Sequence, residues 1–280
     1  TLFTMRMEMS GAAGASIRTI VDENNPDVIK QIGQQFGGGS VGGGQVTSVE
    51  ISYDNDLAIG TVLVSGVSDP SFAFSEGDIE LVLSGGAASA SFAPNRARPK
   101  WRNIPVATYG PTRDHSNLEL ILPDDGEGFT LSGDPMVEDK YANTTIIRRA
   151  SLDGATVLLE EQQISDLGEV APEDLPEQRR AALRISKADL KLTAPQSTIW
   201  RWERTKEDLA ARTKVARDRY NIAVADADDD DFAPLLSRAA YYWQIYDFES
   251  SLKDYSVVIE QQPSSELLVG RGYLNEVLGN

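Results

Sequence analysis

The residues best equipped for chemistry are one histidine and several crowded carboxylates. His115 is the only histidine in the 280 residues and stands in Arg113-Asp114-His115-Ser116. Asp, His and Ser are the parts of a hydrolase triad, in which the imidazole takes the nucleophile's proton and the carboxylate holds the imidazole. Adjacent residues of a strand point to opposite faces, however, and no G-x-S-x-G elbow occurs, so a surface turn is the expected setting. A second cluster, Asp226-Ala227-Asp228-Asp229-Asp230-Asp231, offers hard oxygen ligands of the kind calcium takes. Counted from Asp226, acids fill the first, third and fifth positions of an EF-hand loop (Asp226, Asp228 and Asp230). The sixth is Asp231 where that loop uses glycine, and the twelfth is Ser237 where it uses glutamate. A solvated connector whose last Asp caps the following helix is therefore expected, with calcium at Asp226, Asp228 and Asp230 as the alternative. Between Glu160 and Glu177 lie seven acids and no base. Paired carboxylates hydrolyse glycosides only when their separation is fixed, and nothing in the sequence fixes it. No catalytic residue and no cofactor are expected.

The elements that would position these groups fall into two regimes. The chain opens on strict alternation, with Phe3, Met5, Met7 and Met9 on one side and Thr4, Arg6 and Glu8 on the other, which is a half-buried strand. Ser10 to Gly14 reads as a turn, and Ile17, Thr19 and Val21 as the returning strand. Asn25-Pro26-Asp27 starts a helix near 26–36 whose buried side is Val28, Ile29, Ile32 and Phe36. Gly37 to Gly44, GGGSVGGG, lacks the Lys-Ser/Thr of a phosphate loop and reads as a flexible connection. A hairpin follows over Val46–Val67, turning at Asp54-Asn55-Asp56. Strands are then expected at Ile79–Leu83, Asn117–Leu122, Thr144–Arg149 and Ala155–Ile164, the last two joined at Asp153-Gly154. Between them Pro94 to Pro99 forms a basic break, NRARPK. Short strands divided by turn signals favour a β-sandwich.

Composition changes at Pro172-Glu173-Asp174. Asp174 with Glu177 three residues later has the form of a capping box, opening a helix near 176–190. A boundary is expected in Thr193–Thr198, around Pro195, and beyond it the pattern is helical, with a helix near Glu207–Ala223. In Phe232–Pro263 small and aromatic residues recur at helical spacing: Ala239, Tyr242 and Trp243, then Phe248, Leu252, Tyr255 and Ile259. Arg238-Ala239 is echoed by Arg271-Gly272, 33 residues on. This order resembles a tetratricopeptide repeat at 232–263 with the start of another at 266–280, each repeat needing a neighbour to bury its face. Trp200 and Trp202, with Arg201 and Arg204, are expected to seal a junction between the two parts. Arg238, Tyr241, Trp243 and Arg271 are the candidate partner contacts, since interfaces enrich aromatic and arginine side chains.

The totals narrow the function classes. Net charge is −17, which argues against a nucleic-acid partner and an anionic membrane surface. No apolar run reaches the roughly 20 residues of a membrane-spanning helix. The absence of cysteine excludes disulfides, thiolate metal sites and a cysteine nucleophile.

The run Arg98–Phe129, RPKWRNIPVATYGPTRDHSNLELILPDDGEGF, followed by the Asp153-Gly154 hairpin, the acidic stretch to Pro176 and Arg179-Arg180-Ala181, carries a further likeness. It resembles the region after the catalytic core in bacterial transglutaminase-like proteins, some of which continue into tetratricopeptide repeats. Phe3–Val21 and Pro26–Phe36 fit the start of that trailing region. The family's catalytic Cys, His and Asp map to no position here. The resemblance implies a non-catalytic, protein-interaction portion of a larger periplasmic or secreted protein, with a transglutaminase-like or cysteine-protease-like core elsewhere in the parent. The fold expected is mainly β plus α: a β-sandwich-like domain over 1–194, then a helical tetratricopeptide-like domain over 195–280. The helices would dock a protein or peptide, without nucleic acid and without membrane insertion. The alternative is a carboxylate-dependent glycan hydrolase, a calcium-dependent esterase, or a carbohydrate-binding sandwich.

Overall fold

The computed structural model describes residues 2–40, 44–68, 73–75, 78–83, 86–195, 203–228 and 230–279. The chain forms two compact units, Thr1–Gln196 and Ser197–Asn280, the first β-rich and the second helical.

The alternation at the start of the chain becomes β1 (Leu2–Met9), with Phe3, Met5 and Met7 buried. The residues after it form a helix, α1 (Gly11–Glu23), where a returning strand was expected. Two features decide this: the Ala-rich start favours helix, and Ile17, Ile20 and Val21 recur at i, i+3 and i+4, all packing on the core. Thr19, read as part of an alternating set, is exposed and donates its hydroxyl to the Ala15 carbonyl. Helix α2 (Pro26–Ser40) follows, with the Asn25 side chain accepting from the Asp27 backbone. It continues into the glycine run read as a connection, and Gly44 already belongs to β2 (Gly44–Asp54); residues 41–43 lie outside the described residues. Glycine matters at two contacts. A Cβ on Gly60, in β3 (Ile59–Ser68), would strike Ile17 of α1, and one on Gly33 of α2 would strike Val49 of β2. Both helices thereby lie close against the sheet.

The remaining strands are β4 (Ala73–Ser75), β5 (Asp78–Val82), β6 (Val106–Thr108), β7 (Thr112–Ile121), β8 (Thr130–Gly133), β9 (Met136–Tyr141), β10 (Thr144–Asp153), β11 (Thr156–Ser165), β12 (Gly168–Val170) and β13 (Leu190–Ala194). A seven-stranded antiparallel sheet has the order β2-β3-β1-β7-β11-β10-β9, and a four-stranded one the order β4-β5-β13-β8. Strands β12 and β6 pair separately. One core joins the seven-stranded sheet (Phe3, Val62, Leu120, Val157) to the smaller sheet (Leu81, Leu192) and to Ile17 of α1. A second apolar cluster gathers under α3 (Leu175–Ser186) around Ile146, Val170, Ala182 and Ile185. Helix α3 stops before the expected residue 190. Leu190, Leu192 and Ala194 alternate inward, and β13 pairs with β5 on one side and β8 on the other, so strand pairing overrides the helical composition. Asp174 stands at the helix start without a side-chain cap, its backbone being helical, φ −86° and ψ −15°, so the capping box does not form.

Along β10, Ile146 belongs to one apolar cluster and Ala150 packs on the other. Between them Arg148, 2% exposed, meets its register partner Glu161, 5% exposed. The Arg148 Nε donates to Glu161 Oε1 at 2.8 Å and Nη1 to the Ala188 carbonyl at 2.7 Å. A charge this deeply buried is tolerable because it is both paired and hydrogen-bonded.

The second unit packs α4 (Lys206–Ala225), α5 (Ala233–Gln244), α6 (Phe248–Gln261) and α7 (Ser265–Leu278), each against the next. Thr205, Asp247 and Ser264 cap α4, α6 and α7 through their side chains. Ala239 is fully buried where Ser251 of α6 donates to its carbonyl at 2.8 Å, a contact a larger side chain would prevent. Trp200, Arg201 and Trp202, expected to seal a junction, lie outside the described residues.

Candidate functional site

Two surfaces gather the side chains singled out by the sequence. The first is the open face of the seven-stranded sheet. Pairing on both sides of β7 carries that strand back to Thr112, so His115 sits in mid-strand, where a turn was expected. Its register partners are Glu8 and Gln162. The imidazole lies between two carboxylates, Nδ1 3.7 Å from Glu8 and Nε2 3.1 Å from Glu160. Asp114 and Ser116 fall on the opposite face by the period of the strand, so Asp114, His115 and Ser116 do not converge. Burial raises the Asp114 carboxyl above its ordinary range, and its Oδ1 has no hydrogen-bond partner among the described residues. Glu160 is held below its ordinary value, first by a hydrogen bond from Gln162 and then by His115.

Beside this group Arg6, Asn117, Glu160 and Arg149 line up across β1, β7, β11 and β10. They border a shallow depression of ≈ 470 Å³ that also takes in Leu63, Glu119 and Leu158. Its lining holds two carboxylates, Glu119 and Glu160, and no aromatic ring.

The second surface belongs to the helical unit, and there the anticipated contacts divide. Arg238 is turned inward: Nε and Nη2 grip Asp254 of α6 at 2.8 Å each, and Nη1 donates to Asn221 of α4 at 2.9 Å. The hydrogen bond to Asp254 raises the arginine's pKa further. Tyr241 is 7% exposed and stacks on Tyr220 of α4, ring centroids 4.6 Å apart. These two side chains join α4, α5 and α6. Trp243 is half-buried, edge-on to Phe248 at 5.9 Å and 5.8 Å from Tyr273 of α7. Arg271 is half-buried on α7.

Helix α7 is apolar on two sides. Leu267, Leu274 and Leu278 face inward, Leu274 fully buried. Val269, Tyr273 and Val277 recur at i, i+4 and i+8 on the outward side and are 71%, 59% and 46% exposed. Glu266 and Glu276 are exposed beside them, and a Cβ on Gly272 would meet nothing within 4 Å. Sequence reading missed this stripe because the leucines of the same helix satisfy one amphipathic pattern by themselves. The signal that finds it is a second, offset series four residues apart.

The acidic connector is used locally, with Asp231 Oδ1 accepting from the Ala233 backbone at 3.0 Å as α5 begins. Asp226 follows the last turn of α4, and Asp229 lies outside the described residues. Among the described residues no three His, Cys, Asp or Glu side chains are grouped to hold a metal ion, and no helix is long and apolar enough to cross a membrane. Comparison with protein-family models finds no match, and neither do searches of curated proteins and of solved structures.

Proposed function

We propose that this chain is a non-catalytic, partner-binding portion of a larger bacterial envelope protein, whose transglutaminase-like core lies elsewhere in the parent. On this reading the first unit is a sandwich-like brace and α5–α7 a tetratricopeptide-like array. The array receives an amphipathic helix of a partner protein along the outward side of α7. The observation that carries the reading is the exposed Val269, Tyr273 and Val277 series. Three apolar side chains exposed in a row on a helix whose other side is already packed form the kind of contiguous patch that marks an interaction surface. Trp243 backs Tyr273 and fixes it as a rigid aromatic anchor, the kind of residue that dominates binding energy. Glu266 and Glu276 set the partner's chemistry: its apolar stripe carries Lys or Arg along the edges. Periplasmic or secreted location follows from the family resemblance alone.

The test is fluorescence anisotropy with a labelled helical peptide that has leucines at every third and fourth position flanked by lysines. The same peptide flanked by glutamates is the comparison. The lysine form binds, the glutamate form binds at least about tenfold more weakly, and V269S/Y273S removes the binding. Equal binding of both peptides, or binding that survives V269S/Y273S, contradicts the proposal.

A further inference from the structure

The first unit carries a charged feature that the helix-docking role leaves unused. From Leu81 to Arg113 the chain has no Asp or Glu, yet it holds Arg96, Arg98, Lys100, Arg102 and Arg113, in a protein of net charge −17. The centre of that stretch is a closed loop. The Arg96 guanidinium turns inward and donates to the carbonyls of Trp101 and Ile104. The Ala97 backbone donates to Asn95 Oδ1 at 3.0 Å, and the Ile104 backbone to the Trp101 carbonyl at 3.3 Å. Arg179 of α3 ties the loop's base to the unit through the Pro94 carbonyl at 3.1 Å. One arginine thus acts as a staple, and the other cations project outward.

Arg98, Lys100 and Arg102 are all exposed, and none has a carboxylate partner among the described residues. In a chain with 43 acids, three adjacent cations without one are a local excess that solvent alone offsets. The Arg98 guanidinium lies over the Trp101 ring, 4.8 Å from its centroid, which holds its fork in place. Ile104, 52% exposed, stands at the loop's end.

We infer that this loop is a docking site for a short acidic peptide segment bearing an aliphatic side chain. Arg98 and Arg102 receive carboxylates as bidentate forks and Lys100 receives one as a point charge. Ile104 and the edge of Trp101 take the aliphatic group. The scale of the charge selects a short segment over an extended polyanion. Screening confines each charge to about 8 Å, so a short peptide meets only the loop. A nucleic acid or an anionic bilayer extends past the loop to the rest of a chain of net charge −17 and is repelled.

The experiment is anisotropy of the whole protein with a fluorescein-labelled peptide of alternating Glu and Asp with one central Leu. Phosphatidylserine vesicles and a single-stranded RNA serve as competitors. The peptide binds, weakens when salt rises from about 50 to about 300 mM, and is displaced by neither competitor. R98Q/K100Q/R102Q lowers affinity at least about tenfold, and I104S lowers it less. R96Q, which keeps the three outward cations and removes the staple, also weakens binding, at unchanged far-ultraviolet circular dichroism. The inference is overturned by no peptide binding, by equal binding to the triple variant, or by tighter binding of vesicles or RNA. V269S/Y273S leaves this binding unchanged, which separates it from helix docking on α7.

Discussion

The β-rich unit and the helical unit handle charge and apolar surface in opposite ways. In the first, the uncovered side of the large sheet mixes exposed apolar side chains such as Ile121 and Leu158 with charges that pair laterally with one another, as Glu8, His115 and Glu160 do. Its deepest ion pair, Arg148 with Glu161, is turned inward between two apolar clusters. In the second, ion pairs fasten helices together, as Arg238–Asp254 and Arg217–Asp247 do, and the outward stripe of α7 is apolar, flanked by Glu266 and Glu276. On the sheet's open side water and lateral pairing satisfy the charged side chains among which its apolar ones are interspersed. Water does not complete α7, because Val269, Tyr273 and Val277 gain nothing from it. That contrast is why binding is assigned to the helices and bracing to the sheet.

The largest effect should come from the sheet's interior. Replacing Arg148 by Met leaves Glu161 buried without its cation and should cost about 3–5 kcal/mol, whereas R148M/E161L should recover most of the loss. Chemical denaturation with peptide-resolved hydrogen exchange checks both, the lost protection falling in β10 and β11. The helical counterpart is Arg238→Ala, which strands Asp254 and should cost about 2–3 kcal/mol, read as faster exchange in α5 and α6. If either change loosened α7 alone, the roles given to these pairs would be wrong.

Two carboxyls sharpen the contrast through pH. Burial pushes Asp247 up, but hydrogen bonds from Arg217 and Ser250 outweigh it and leave the carboxyl below its ordinary value of 3.8. Its contribution is therefore fully present above 3.8 and lost as pH falls through the lower, folded value. Asp114 behaves oppositely. Its folded value is raised, so its stabilising contribution is present below 3.8 and is lost as pH rises through the raised value. Asp247→Asn should accordingly lower the melting temperature at neutral pH, by an amount equivalent to about 1 kcal/mol for a weakened cap and a lost ion pair. Asp114→Asn should raise it at neutral pH, with the gain vanishing in acid. Melting curves across pH for the two variants settle the signs. A small effect on folding, about 1 kcal/mol and chiefly the lost Trp243 contact, belongs to V269S/Y273S, although these positions carry the proposed binding.

A β-rich part followed by helices was legible because each regime repeats its own period. Alternation marks β1, and turn residues delimit the β2–β3 and β10–β11 hairpins. What escaped was set by partners distant in sequence. The segment with Ile17, Thr19 and Val21 reads as a strand when only alternation is scored, yet Ile20 packs too, and helix wins. Leu190–Ala194 continues a helix-forming composition and becomes a strand because β5 and β8 flank it. At the helical surface, residue type pointed to Arg238 and Tyr241, but a sequence does not say that Asp254 and Tyr220 wait to receive them. The stripe holding Tyr273 is written in the sequence as an offset series four residues apart, but its contact with Trp243 forms across two helices and is not.

The most direct test of the central claim, that the outward side of α7 selects a helix by its apolar stripe and basic edges, is a charge swap. Peptide affinities are measured for the protein and for E266K/E276K, with the lysine-flanked and glutamate-flanked helices as ligands. The account predicts that the preference reverses, the swapped protein taking the glutamate-flanked helix at least about tenfold more tightly than the lysine-flanked one. An unchanged preference for the lysine-flanked helix would contradict it, since the acidic surface elsewhere on the molecule would then be the binding site.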